Sequence, residues 1–202
     1  YNSGIGTSSR ASEAFITKIS ADGKSLVYST YLGGGREAGA NGGTSDGTAI
    51  AVDSKGSVYI TGGTLSDFFP ITQDAFQPTH LRRSYSTFVA KLNMDGQPPV
   101  YSTYLGSPNA YSQSIKVNTK GNAYIVGGTQ DPYFPTTQGA FQVTYSGGGE
   151  GSTNVFVTKL SATGKSLVNS TFLGGEGDDY VGNIALDSAG NAYIVGTTYS
   201  SN

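Results

Sequence analysis

Apolar and polar positions alternate along this chain in short runs separated by glycine-bearing turns. In Phe15-Ile16-Thr17-Lys18-Ile19, Phe15, Thr17 and Ile19 share one face of an extended strand, and Ile16 and Lys18 share the other. Apolar residues on both faces suit a sheet packed between two neighbouring sheets. Thr48–Asp53 and Val58–Thr61 flank Asp53-Ser54-Lys55-Gly56, a tight turn with glycine where positive φ is needed. Phe88–Leu92 and Val100–Tyr104 flank Met94-Asp95-Gly96, a second hairpin signal. No long helical period occurs, so helix is expected only as a short turn around Thr72–Phe76 or Thr137–Phe141.

The runs recur. AFITKIS (Ala14–Ser20) returns as TFVAKLN (Thr87–Asn93) and VFVTKLS (Val155–Ser161), and YSTYLG (Tyr28–Gly33) as YSTYLG (Tyr101–Gly106) and NSTFLG (Asn169–Gly174). VDSKGSVYITGGT (Val52–Thr64) returns as VNTKGNAYIVGGT (Val117–Thr129) and LDSAGNAYIVGTT (Leu186–Thr198). FPITQDAFQ (Phe69–Gln77) is matched by FPTTQGAFQ (Phe134–Gln142). Three blocks in fixed order at spacings of 65 to 73 residues define a repeat of four strands. The expected fold is all-β, with four-stranded antiparallel β-propeller blades, about three blades' worth in this chain. Solenoid repeats are usually shorter and carry fewer strands.

As a set, YSTYLG, the DSKG/DSAG turn with its AYIVG strand, and FPTTQGAFQ resemble the bacterial β-propeller repeat family known as SBBP repeats. The hairpin Ala49–Thr61 also looks like the inner half of an NHL-type blade. That resemblance implies one propeller region over residues 1–202. Blades are expected at 47–106 and 112–174, with an outer half-blade at 14–33 and an inner half-blade at 182–198. It also implies an exported bacterial surface protein, and it implies little about chemistry. Individual function is expected in the uneven loops Gly34–Asp46, Gln77–Ser86 and Ser146–Thr153.

Composition narrows the chemistry. The chain has 202 residues, 30 Gly, 14 Tyr and only 13% charged residues, which suits turns and half-buried strands. A net charge of -2 offers no footprint for nucleic acid, and no apolar run is long enough to span a membrane as a helix. Without Cys there is no disulfide or thiolate chemistry. His80, the single histidine, lies in a polar stretch and is expected to be an ordinary surface residue. Asp53 and Asp187, with Asn118 in the same place, and Asp22 and Asp95 are expected to serve turns. Glu176, Asp178 and Asp179 are candidate Ca²⁺ ligands on a glycine-flexible loop, against a solvated turn; other copies do not repeat the cluster.

Lys18, Lys91 and Lys159 share one repeat position, explained by an aliphatic stem on a strand face with its ammonium in water. Gly33-Gly34-Gly35 and Gly147-Gly148-Gly149 lack the flanking residues of a phosphate loop. Asn169-Ser170-Thr171 matches a glycosylation sequon inside a strand. Tyr111, Tyr133, Tyr145 and Tyr199 fall nearer loops, where they can stack on a sugar or a partner.

The expectation is a non-catalytic extracellular structural or binding module without cofactor: a surface scaffold, an adhesin, or a subunit of an extracellular assembly or filament. The alternative is a carbohydrate-binding or carbohydrate-active propeller, which needs facing carboxylates and an aromatic platform. Closed propellers have roughly 4–8 blades, so the expected partners are further blades from the same polypeptide or from identical subunits, with surface glycans as a further class. By repeat position Tyr1 matches Tyr145 and Asn202 matches Tyr133. Residues equivalent to Phe134–Thr144 therefore separate one end from the other. Either the chain is a window on a longer array, or another chain completes its ring.

Overall fold

Residues 12–35, 43–80, 85–93, 95–96, 98–106, 108–149 and 151–201 are described in the computed structural model. They form twelve strands and no helix: β1 (Ala14–Ile19), β2 (Leu26–Leu32), β3 (Ser45–Val52), β4 (Val58–Thr64), β5 (Ser86–Leu92), β6 (Tyr101–Leu105), β7 (Ala110–Val117), β8 (Ala123–Thr129), β9 (Asn154–Leu160), β10 (Leu167–Leu173), β11 (Asp179–Leu186) and β12 (Ala192–Thr198). Parts of the three uneven loops, the first residue of the Met94 turn, Tyr1 and Asn202 lie outside the described residues.

The strands make four antiparallel sheets: β3-β4-β5-β6 and β7-β8-β9-β10 with four strands each, and β1-β2 and β11-β12 with two. All three hairpins expected from the Asp/Asn-x-x-Gly turns are present. At the first turn Gly56 has φ 81° and donates its N–H to the Asp53 carbonyl at 3.0 Å. A side chain at that φ is strained, which is why each copy has glycine there. The inner strand carries a register shift at one repeat position in every copy: Gly47/Ala49, Ser112/Ser114 and Val181/Asn183. A bulge at that point deepens the local twist.

The sheets stack face to face, which is what two-sided apolar strands require. Ile16 and Leu32 of β1-β2 pack on Ile60, Phe88 and Tyr104. Tyr59, Val89, Tyr101 and Leu105 pack on Ile115, Ile125, Phe156 and Phe172. Tyr124 and Val126 pack on Val181 and Ile184. The result is an all-β, β-propeller-like fold.

From the sequence, Phe69, Phe76, Phe134 and Phe141 of the FPITQDAFQ and FPTTQGAFQ segments are expected to be buried, sealing the gap between the second and third strands of a blade. The segments depart from that expectation in two ways. They run along the outer strand instead of sealing a gap between the second and third. Thr72 N–H donates to the Ser102 carbonyl at 3.1 Å, Tyr104 N–H donates to the Gln77 carbonyl at 3.1 Å, and Thr137 and Gln142 repeat the pattern on Ser170 and Phe172. They thereby satisfy the outer edges of β6 and β10. Of the four phenylalanines, Phe69 and Phe134 are buried and Phe76 is half-buried, but Phe141 is 85% exposed. The cause is local. Phe76 N–H donates to the Gly164 carbonyl at 3.0 Å, in the outer turn of the following sheet. Among the described residues, the sheet following Phe141 has no outer strands.

Candidate functional site

The repeated polar residues are spent on the blades. Asp53 Oδ1 accepts the N–H groups of Lys55 and Ser57 at 3.0 and 2.9 Å. Asn118 and Asp187 serve their own turns in the same way. Desolvation pushes the Asp53 carboxyl up, yet the Ser57 and Lys55 N–H groups outweigh it and hold it below the usual carboxylate range. Asp187 is held low by the Asn191 side chain and backbone N–H. Among the described residues, no three His, Cys, Asp or Glu side chains gather in a metal-binding cluster.

The lysine position has a more specific use than a solvated stem. Lys91 Nζ lies 4.8 Å from the centroid of the Tyr59 ring and 3.7 Å from Asp53 Oδ2, and Lys159 Nζ lies 5.0 Å over Tyr124. The Tyr59 hydroxyl is 3.2 Å from Asp53 Oδ2 and 3.4 Å from the Gly121 carbonyl of the next sheet. Tyr124 reaches the Gly190 carbonyl at 3.1 Å. Burial, and then the Asp53 charge, push the Tyr59 hydroxyl well above the usual tyrosine range. This inter-sheet bond escaped the sequence reading, although tyrosine recurs in VYI, AYI and AYI.

Asp178 and Asp179 of the acidic loop accept hydrogen bonds from the loop itself and from the segments before β9 and after β12. Asp178 Oδ1 accepts Thr153 N–H at 2.9 Å, while buried Asp179 accepts Gly175 N–H at 2.8 Å and the Ser200 hydroxyl at 2.9 Å. The Glu176 carbonyl accepts Gly148 N–H at 2.9 Å.

His80 is not a surface residue. Its ring packs 5.2 Å from Tyr104, its side chain is 4% exposed, and Nδ1 lies 2.9 Å from Asp67 Oδ1. Tyr133 and Tyr199 are exposed, whereas Tyr145 packs on Phe172 with its hydroxyl bonded to the Ser152 carbonyl. Tyr111 covers Gly128. Asn169-Ser170-Thr171 lies in β10, where Ser170 is buried.

Apolar surface concentrates instead at the two ends of the stack. Phe15 in β1 is 73% exposed, while its repeat partners Phe88 and Phe156 are at 0%. Ile50 is 55% exposed against 1% for Ile115. At the other end Val195 is 64% exposed against 0% for Val126, and Tyr193 and Leu173 are exposed as well. A cavity of ≈ 420 Å³ opens there, lined by Phe141, Leu173, Val181, Ile194 and Gly196. A second of ≈ 260 Å³ lies at the first end, lined by Phe15, Ile50 and Ile60. Patches of this kind on a sheet face, next to unpaired strand edges, are where partners dock.

The family model for the SBBP β-propeller repeat matches residues 27–69 and 168–202. Each match starts in an outer strand, β2 or β10, and continues through the inner hairpin of the next sheet, so it straddles a boundary between sheets. A search of curated proteins finds no match.

Proposed function

From a chain that carries SBBP β-propeller repeats, we propose a non-catalytic, extracellular structural or binding module of a bacterial surface. Its partners are further blades, and its role is that of a scaffold, an adhesin, or a subunit of a surface assembly or filament. One observation carries this reading: positions buried between sheets, such as those of Phe88 and Val126, are exposed at the ends as Phe15 and Val195. The commitment of Asp53, Asp178, Asp179 and Asp187 to backbone and hydroxyl donors supports the non-catalytic role, since a general acid or base needs a carboxyl free to meet substrate. Antibodies to this chain should label intact, unpermeabilised source cells. Labelling only after permeabilisation would contradict the surface role. Glycan-array binding abolished by changing Tyr133 or Tyr199 would favour the carbohydrate-binding alternative.

A further inference from the structure

We infer that the cleft between the two complete sheets binds a carboxylate-bearing sugar, a hexuronate residue of an acidic polysaccharide. A cavity of ≈ 350 Å³ opens there between the Asp53-Ser54-Lys55-Gly56 turn and its repeat equivalent, Asn118-Thr119-Lys120-Gly121. Lys91, Val52, Val117 and Ala162 complete its lining. Small-ligand pockets have volumes of this order. Both turns belong to complete four-stranded sheets, so the cavity is formed whatever covers the apolar ends of the stack.

The charge of this cleft departs from the repeat. Three of the chain's eight lysines, Lys55, Lys91 and Lys120, line it against the single carboxylate of Asp53, in a chain whose net charge is -2. At the next boundary the corresponding turn is Asp187-Ser188-Ala189-Gly190, which leaves two lysines, Lys120 and Lys159, to one carboxylate. The blade itself does not demand the difference. Asp53, Asn118 and Asp187 each hold their own turn by accepting the same backbone N–H on Oδ1. Asn118 in place of aspartate, and Lys120 in place of the last copy's Ala189, both make the middle cleft more positive. Lys55 and Lys120 are exposed, and among the described residues no carboxylate pairs with either ammonium.

The donors and walls of the cleft select the ligand. The turn N–H groups that could cradle a phosphate are already used: Lys55 and Ser57 donate to Asp53, and Lys120 and Asn122 donate to Asn118. Asp53, 3.7 Å from Lys91 and only 12% exposed, opposes a dianion. A single carboxylate meets two unpaired ammonium groups with less repulsion, in charge-assisted hydrogen bonds. Ser54 and Thr119 present exposed hydroxyls, and Val52, 58% exposed, and Val117 present an apolar wall. One negative charge, several hydroxyls and an apolar C–H face on a ring of cavity size describe a hexuronate. An acidic peptide shares the charge but brings no hydroxyls to Ser54 and Thr119.

Isothermal titration of the purified chain tests this with galacturonate and glucuronate trisaccharides, a neutral galactose trisaccharide, inorganic phosphate and triglutamate. A hexuronate should bind, and the other three probes should bind at least about tenfold more weakly. Asn118→Asp and Lys120→Ala each introduce the residue that the last copy carries at that place, so the turn keeps its fold. Each should weaken hexuronate binding about tenfold with an unchanged circular dichroism spectrum. Lys24→Ala, at an exposed lysine outside the cleft, should leave binding unchanged. Three results would overturn the inference: no binding of either hexuronate, binding indifferent to both cleft changes, or equal binding of phosphate, triglutamate or the neutral sugar.

Discussion

Phe134→Ala and Phe141→Ala should differ sharply although they alter the same segment. Phe134 is 2% exposed, its ring stacks 4.3 Å from the Phe156 centroid, and it lies 6.2 Å from Phe172. A Cβ on Gly106 would lie 2.4 Å from the same ring, so the site is enclosed by the preceding sheet as well. Truncation loses both the transfer term and the packing around the cavity, about 3–5 kcal/mol. With a urea slope near 2 kcal/mol/M, a loss of about 4 kcal/mol lowers the midpoint by roughly 2 M. Phe141, exposed to solvent in the single chain, should change stability by no more than about 0.5 kcal/mol. The assay is urea unfolding followed by circular dichroism, with both changes made in the Phe15→Ser background to keep the ends of copies apart. Equal midpoints for the two variants, or an unshifted Phe134→Ala, would refute the packing argument.

Asp53→Asn should cost less than about 1 kcal/mol, because Asn118 already caps its turn with the same Oδ1; Asp53→Ala, which strands the Lys55 and Ser57 N–H groups, should cost about 1–2 kcal/mol. Chemical denaturation of the two variants decides this. Burial, and then the Asp67 charge, push the Tyr104 hydroxyl from 10.0 up to about 12. Its neutral form is therefore favoured by folding, and this contribution is complete below pH 10 and lost as pH rises through about 12. Denaturation in that window should show the loss, and Tyr104→Phe should flatten it. EDTA should leave the melting temperature unchanged; a fall restored by Ca²⁺ would identify Glu176, Asp178 and Asp179 as a metal site.

The strands and hairpins were legible because the signals were local and repeated. Period-two alternation, Asp/Asn-x-x-Gly turns and triplicate blocks all point to the same sheets. Where the reading failed, the deciding contact came from a residue distant in sequence. Phe76 and Phe141 stand in nearly identical sequence, yet only Phe76 has an outer turn of the next sheet against it. His80 has no motif around it, and it is the Tyr104 ring and Asp67 that enclose and bind it. The lysine repeat was visible, but its use depends on a tyrosine brought opposite by strand register. Apolar ends were expected from an incomplete set of blades, and Phe15 and Val195 are exposed there.

Electron microscopy of the purified 202-residue chain at a resolution that separates strands is the most direct test of the assembly. The account predicts further blades packed against both apolar ends of the stack, covering Phe15 and Val195. Dispersed single chains that leave Phe15 and Val195 in solvent would contradict it.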